Sequence, residues 1–268
     1  MRVDFNITVG SAADDRIEAN KAHARSLGLP FVTGLAGGRP LNVIGRGPSV
    51  VNHIEELRRD DADNWACGTA WAWCRDNGIE AAFVCVDAQP RMVDYVAGCD
   101  VAILHPQCDP SLFSALAGSD VKLVPAECEE YGSTAATQAA FLGAVFGREV
   151  RLYGCEGSYA ETTHVNEDIP QPNEMFIRAN GDVFRTNTQM LVQSEQLARV
   201  ISMARPGCFI DLSGGLLSAL IATGGEWDFE RWDNAPADLQ CAIQASRNTG
   251  NPGWGDDGVA DWGARVNG

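Results

Sequence analysis

The sequence of 268 residues lacks any apolar run long enough to cross a membrane, and Met1-Arg2-Val3-Asp4-Phe5-Asn6 does not resemble a signal peptide. We therefore expect a cytoplasmic protein without a membrane partner. Basic residues are scarce, since 20 Lys and Arg stand against 36 Asp and Glu, for a net charge of −16. This balance argues against tight, nonspecific binding to nucleic acid. It leaves room for an enzyme that visits DNA through one local basic patch.

The nine cysteines include no C-x-x-C pair and no spacing that is typical of a zinc site, so we expect no bound metal. An odd count without a secretion signal favours a reducing compartment. Four cysteines in or beside apolar runs are interpreted as small core residues: Cys67, Cys85, Cys155 and Cys208. Hydrophobic residues make up 45% of the chain, which is enough for a sizeable globular core.

The most informative stretch begins with the apolar run Leu41–Ile44 and continues through a glycine-rich turn into a helical pattern. Glycines let the backbone approach a ligand closely, and the N–H groups of a helix start suit a phosphate. The alternative is a plain strand-to-helix turn, because the Lys-Ser/Thr of a P-loop is missing. The candidate donor-binding residues of this turn are Gly45, Arg46, Gly47, Pro48 and Ser49.

Short strands alternate with helical segments over most of the chain, which predicts an α/β, Rossmann-like, mostly parallel sheet with helices on both faces. The predicted strands are Leu41–Ile44, Trp65–Cys67, Ala81–Val86, Val101–Leu104, Val121–Val124, Val150–Tyr153 and Phe209–Leu212. The predicted helices are Val50–Arg58, Thr69–Asn77, Ser111–Leu116, Thr134–Phe146 and Gln189–Met203. Ligands bind outside the carboxyl ends of such strands, where Gly45–Ser49, Asp87 and Gly154–Tyr159 fall.

Two features depart from this alternation. Asn180-Gly181 lies between two alternating runs at 175–186, which predicts a β-hairpin that forms a flap over the site. From residue 224 the chain becomes rich in Gly, Asp and Trp. We therefore predict a nucleotide-binding transferase domain over 1–223 and an irregular extension over 224–268. Four tryptophans are expected to dock the extension on the domain: Trp227, Trp232, Trp254 and Trp262.

Three further positions are candidates for chemistry, each with a plainer alternative. Asp87 ends a strand and can hold a ribose hydroxyl or a metal, or it can cap the next turn. Ser133 and Thr134 open a helix and can bind phosphate, although a helix cap is the favoured interpretation. His164 follows the strand that ends at Gly154, in a long polar loop, and is a candidate general base.

In their order along the chain, these motifs resemble the 6-hydroxymethylpterin diphosphokinase MptE-like family, in particular its stand-alone members from tailed phages. That family is similar in fold and motif order to bacterial sialyltransferases and to the central domain of Maf flagellin glycosyltransferases. The motifs are Gly45-Arg46-Gly47-Pro48-Ser49, Asp87, Gly132-Ser133-Thr134, Leu152-Tyr153-Gly154-Cys155-Glu156-Gly157-Ser158-Tyr159, His164 and Gln171-Pro172.

The resemblance implies that His164 is the general base and that the Gly-Pro-Ser turn, with Ser133 and Thr134, contacts a donor nucleotide. We add Tyr159 to the expected donor contacts. Two residues depart from the family pattern. Arg46 replaces a small amide, and Glu156 stands where an aspartate is usual.

The resemblance leaves the chemistry open. The first hypothesis is a glycosyltransferase with a nucleotide-sugar donor and, as acceptor, a small molecule or a modified base in phage DNA. The second is a diphosphokinase in which Asp87 and Glu156 bind the Mg²⁺ of ATP and act on a pterin-like or hydroxymethyl compound. The third is a nucleotide-binding phage protein without catalysis. The oligomeric state is left open.

Overall fold

The fold is centred on a seven-stranded sheet in a computed structural model that describes residues 12–33, 38–59, 61–125, 132–159 and 174–229. The strand order is β5-β4-β3-β2-β1-β6-β9, and all neighbouring strands run parallel. The strands are β1 (Leu41–Ile44), β2 (Asp63–Cys67), β3 (Ala82–Cys85), β4 (Val101–Leu104), β5 (Asp120–Leu123), β6 (Val150–Tyr153) and β9 (Phe209–Asp211). The predicted Rossmann-like α/β class is confirmed.

Helices cover both faces of this sheet. They are α1 (Asp14–Ser26), α2 (Ile54–Leu57), α3 (Ala70–Asp76), α4 (Pro110–Ala115), α5 (Ala135–Val145), α6 (Thr188–Met203) and α7 (Gly215–Thr223), with 3-10 turns at Pro48–His53 and Pro90–Tyr95. The helices α1 to α4 contribute to one buried apolar cluster, and α5 to α7 contribute to a second cluster. Within the described ranges, none of the helices combines the length and the apolar character needed to span a bilayer.

Strand β1 shows how the sequence produces two cores. All four of its residues are buried, as expected for a central parallel strand covered on both faces. Leu41 and Val43 pack into the α5–α7 cluster, whereas Ile44 packs into the opposite cluster. Because successive side chains of a strand point to opposite faces, this short apolar run stabilises both layers at once.

The predicted hairpin is confirmed as β7 (Glu174–Ala179) and β8 (Asp182–Asn187). Asn180 and Gly181 both have positive φ, 51° and 86°, as a tight hairpin turn requires. The flap over the site stays a prediction, while Ile177 and Ala179 of the hairpin are buried in the α5–α7 core. Among the described residues that line the cleft, none belongs to the hairpin.

The beginning of the predicted extension joins this small sheet. The two-residue strand β10 (Asp228–Phe229) pairs antiparallel with β7. The indole Nε1 of Trp227 donates to Glu195 Oε1 on α6 at 2.7 Å, so this tryptophan docks on the domain as expected. The other three tail tryptophans lie outside the described residues.

Candidate active site

The candidate site is a cleft of about 710 Å³ at the carboxyl edge of the large sheet. After β1 the chain builds β2 to β5 on one side, and then crosses to place β6 on the other side of β1. Such a reversal opens a crevice at the strand ends, which is where parallel α/β sheets bind ligands. The loops that follow β1 and β6 both line the cleft there.

Glycines allow the backbones of these two loops to touch. The N–H of Gly45 donates to the carbonyl of Tyr153 at 2.7 Å, and that of Gly47 donates to the carbonyl of Gly154 at 2.8 Å. A Cβ at Gly45 would overlap the Gly154 carbonyl, and Gly154 itself has a φ of +63°. The glycines of the predicted turn are therefore needed for close contact between the two loops, in addition to any approach of a ligand. This contact shapes one end of the cleft.

Glu156 lies directly behind the first loop. It is only 7% exposed, and its Oε1 accepts a hydrogen bond from the backbone N–H of Ser49. A Cβ at Gly47 would overlap the carboxylate. The Glu156 side chain thus reaches the start of the 3-10 helix, where a carboxylate is favoured by the helix dipole. We assign Glu156 a positioning role for the loop.

Burial raises the pKa of Glu156 above its usual range, while its hydrogen bonds with Ser49 partly oppose the shift. A carboxyl group whose pKa is higher in the folded than in the unfolded chain binds more protons when the chain is folded. Its contribution to stability therefore decreases as the pH rises from the unfolded pKa to the folded pKa. Glu156→Gln should therefore gain stability relative to the native chain as the pH is raised from about 4, near the usual pKa of a glutamate, to neutral. Urea unfolding across this range measures the difference.

The matched control is Glu55→Gln, which removes an exposed carboxylate and should show no comparable trend. Glu156→Ala, in contrast, leaves the buried N–H of Ser49 without its acceptor and should cost about 1–3 kcal/mol. A difference between Glu156→Gln and the native chain that stays constant with pH would contradict the assignment.

The start of α5 forms a second wall of the cleft. Thr134 Oγ1 accepts from the N–H of Thr137 at 3.1 Å, which confirms the helix-cap interpretation. Ser133 donates to Gln196 Oε1 through both its N–H (3.0 Å) and its hydroxyl (2.9 Å). The next two residues, Ala135 and Ala136, line the cleft, and within the described ranges their N–H groups have no partner. Backbone N–H groups with the geometry of a helix start therefore face the cleft one position beyond the predicted hydroxyls.

Asp87 lines the opposite end of the cleft, after β3. Its Oδ1 accepts from the N–H of Gln89 at 2.9 Å, which is the predicted turn cap. Its Oδ2 accepts from Arg91 through Nε (3.1 Å) and Nη2 (2.8 Å). The turn-cap interpretation of Asp87 is therefore confirmed, whereas its binding of a ribose hydroxyl or a metal stays a prediction.

Arg46 lines the cleft between the β1 and β2 loops, and its Nη1 donates to Thr69 Oγ1 at 3.3 Å. Arg46 and Arg91 are the cationic side chains among the described residues that line the cleft. Arg46 is the closer of the two to the switch point between β1 and β6.

Three of the expected donor contacts are placed behind the cleft wall. Pro48 and Ser49 start the 3-10 helix and do not line the described part of the cleft, and the Ser49 N–H donates to Glu156. Tyr159 is 7% exposed, accepts a hydrogen bond from Asn187 Nδ2, and has the Arg185 guanidinium 5.3 Å from its ring centre. It links the β6 loop to the hairpin. His164, Gln171 and Pro172 lie outside the described residues.

The cysteine interpretation needs one correction. Cys85 and Cys208 are buried as predicted, whereas Cys67 and Cys155 are partly exposed, although they still pack against the α5–α7 core. Cys67, Cys85 and Cys155 line the cleft, because they end a strand or lie two residues beyond one at the ligand edge. Burial of its sulfur nevertheless raises the pKa of the Cys155 thiol to about 12. The thiol is therefore protonated at neutral pH and is not a nucleophile.

The sequence did not reveal that α6 supplies a wall of the cleft. Its contributing residues are Gln189, Met190, Gln193, Ser194 and Leu197. The sequence does indicate that Gln189, Gln193 and Leu197 share one face of the helix, because they are spaced four residues apart. What the pattern does not show is which neighbouring element that face meets.

No protein-family model matches this chain, and no curated protein sequence matches it. Its fold is similar to that of the Maf glycosyltransferase from Magnetospirillum magneticum AMB-1, with a TM-score of 0.57 and 19% sequence identity. The similarity covers 88% of this chain but only 42% of that chain, so this chain spans less than half the length of its neighbour. The expected likeness to Maf proteins is thus confirmed for the fold.

Proposed function

We propose that this chain is a nucleotide-dependent transferase that moves a sugar from a nucleotide-sugar donor to an acceptor hydroxyl. The observation that carries the proposal is the position of the cleft at the β1–β6 switch point, against the first turn of α5. The shared fold with a Maf glycosyltransferase supports the same class of reaction. We also propose that the chain is a member of the MptE-like family, that it is of phage origin and that it is cytoplasmic. The proposed acceptor is a small molecule or a modified DNA base.

The residues that line the cleft fit a nucleotide. The N–H groups of Ala135 and Ala136, at the positive end of α5, suit a phosphate, and Arg46 adds a permanent charge. The carboxylate of Asp87 suits a ribose hydroxyl at the other end of the cleft. A bound donor supplies an anomeric carbon with a phosphate as its leaving group. Arg46 and the α5 terminus would stabilise the charge that develops on that phosphate.

His164 is the proposed general base, which accepts the proton of the acceptor hydroxyl as that oxygen attacks. Glu156 holds the loop that carries Gly45 and Arg46. In the diphosphokinase alternative, Asp87 and Glu156 would share Mg²⁺. Their carboxylates are instead bound to different groups, Arg91 and the N–H of Ser49. Because each carboxylate is already engaged by its own partner, we favour sugar transfer.

A thermal-shift panel of CMP, UDP, GDP, ADP and ATP, with Mg²⁺ and with chelator, tests the proposal. A nucleotide present at 100 times its Kd should stabilise the native state by about 2.7 kcal/mol. We expect a shift that persists in chelator and is reduced in Arg46→Gln. The control Arg58→Gln removes a guanidinium bound to Glu55 outside the cleft and should keep the shift.

The other outcomes separate the hypotheses. A shift seen only with ATP and Mg²⁺ would favour the diphosphokinase. Binding without turnover of any nucleotide sugar would favour the non-catalytic protein. No shift with any of the five nucleotides would refute the proposed function.

A further inference from the structure

The loop after β4 lines the described part of the cleft through one residue, Gln107. In the strand order, β4 lies beside β3 and three positions away from β1. Neighbouring strands are about 4.8 Å apart, so about 14 Å separate the loops that follow β1 and β4. This distance is comparable with the length of an extended nucleoside diphosphate. Gln107 therefore lies where the far end of a nucleotide would be if its phosphates bound near Arg46.

The side chain of Gln107 is held in one orientation. Its Nε2 donates to the carbonyl of Val86, and its backbone N–H donates to His105 Nδ1 at 3.2 Å. Because the amide nitrogen bonds with a carbonyl, the amide oxygen is the atom that is turned away from Val86. This Oε1 forms no hydrogen bond within the part of the chain that the structure describes. Gln107 thus offers a fixed acceptor to a ligand in the cleft.

Helix α1 holds the same loop in place. Asn20, which is 4% exposed, donates from Nδ2 to the backbone carbonyl of Gln107 at 2.9 Å. Arg16 Nη2 donates to Asp109 Oδ2 at 2.7 Å, and Asp109 also caps α4 by accepting from the N–H of Ser111 at 3.0 Å. A residue that is fixed before a ligand arrives loses little conformational freedom on binding. Helices α1 and α4 therefore preorganise Gln107.

The surroundings of Gln107 suit a nucleobase better than a phosphate. Val86 and Met92, from the segment after β3, also line the cleft and offer apolar surface to the face of a flat ring. The guanidinium of Arg91 on this segment is already paired with Asp87 through two hydrogen bonds. An acceptor that cannot rotate favours a ligand edge that carries an N–H group. Such an edge is present on a nucleobase and absent from a phosphate.

We infer that the loop after β4 is the base subsite of the donor nucleotide, and that Gln107 Oε1 accepts an N–H of the base. The inference rests on the proposed function and names the residue that recognises the base. Gln107 is the specificity-determining residue, and Asn20 is a positioning residue that acts through it. Phosphate, ribose and base then follow the loops after β1, β3 and β4 in that order.

Four nucleoside monophosphates test the inference, because CMP, UMP, GMP and AMP share ribose and phosphate and differ only in the base. Titration calorimetry on the full chain measures their Kd values, with ribose 5-phosphate as the ligand that has no base. Gln107→Met keeps the length of the side chain and removes its amide. We expect it to raise the Kd of the preferred nucleotide about tenfold, as for one lost hydrogen bond, and to narrow the spread among the four. The Kd of ribose 5-phosphate should not change.

Two further variants test the positions of the partners. Asn20→Ala should raise the Kd of the preferred nucleotide severalfold, and it should have no further effect when Gln107→Met is already present, because Asn20 acts through Gln107. Gln193→Met, on the α6 wall of the cleft, reports the reversed orientation of the nucleotide. It should keep the order and the spread of the four Kd values.

Equal binding of the four nucleotides by the native chain would overturn the inference, and so would an unchanged spread in Gln107→Met or a narrowed spread in Gln193→Met. An equal loss of affinity for ribose 5-phosphate in Gln107→Met would also overturn it, because the residue would then support the cleft without recognising the base. A further loss from Asn20→Ala in the Gln107→Met background would overturn the positioning role.

Each of these results would leave nucleotide binding, and thus the proposed function, in place. If neither a nucleotide nor ribose 5-phosphate bound, the proposed function would fail and the inference with it.

Discussion

Replacing His164 with alanine should lower the turnover number by about 10²–10⁴-fold, the usual cost of removing a general base. The affinity for the donor nucleotide should be largely kept, because Arg46 and the start of α5 hold the phosphates in the proposed complex. The native rate should rise with pH as the base loses its proton, and the variant should lack that acidic limb. Turnover on nucleotide sugar and pH–rate profiles measure both effects.

The matched control is His23→Ala. His23 packs edge-on against Phe113, with ring centres 6.1 Å apart, and it does not line the cleft. We expect its removal to leave turnover and the pH profile unchanged. Near-native turnover in His164→Ala would show that another group takes the proton, and Asp87 or Glu156 would then be tested in the same way.

Gly45→Ala should both lower the free energy of unfolding and abolish nucleotide binding. Its new methyl group would overlap the Gly154 carbonyl, and a backbone atom cannot move aside as a flexible side chain does. Overpacking of this kind typically costs about 1–3 kcal/mol, and the displaced loops would no longer shape the cleft. Urea unfolding and thermal shifts with nucleotide measure the two losses.

The matched control is Gly147→Ala, at the end of α5. Gly147 has a φ of +72° but open space around its missing Cβ, so this change costs only backbone strain, about 1–2 kcal/mol. It should keep the nucleotide shift. If Gly45→Ala also kept the shift, close contact between the β1 and β6 loops would not be needed for the site.

The strand pattern was predictable because buried parallel strands are short apolar runs bounded by turns. Strands β4 and β6 begin and end at the predicted residues, and Asn180-Gly181 predicted the hairpin. Helix α1 was missed because its residues are mostly polar and exposed, which leaves little apolar periodicity to detect. Helix α7 was missed because a Gly-Gly pair is typical of a loop. In the structure, Gly214 and Gly215 both have positive φ and form the beginning of the helix.

The site was predictable only in part, for a physical reason. The loops at Gly45 and Asp87 follow strands, so the topology of a parallel sheet places them at one edge. The partners of their side chains depend on packing between distant segments. Glu156 bonds with Ser49, 107 residues away in sequence, and Ser133 bonds with Gln196. Local patterns hold no information about such pairs, which is why Ser49 was placed in the cleft and α6 was not.

A crystal structure with the best-binding nucleotide is the most direct test of the proposed donor site. We predict phosphate oxygens within hydrogen-bonding distance of the N–H groups of Ala135 or Ala136 and of the Arg46 guanidinium. The ribose should lie towards Asp87. A nucleotide bound with its phosphates away from both α5 and Arg46 would contradict the account.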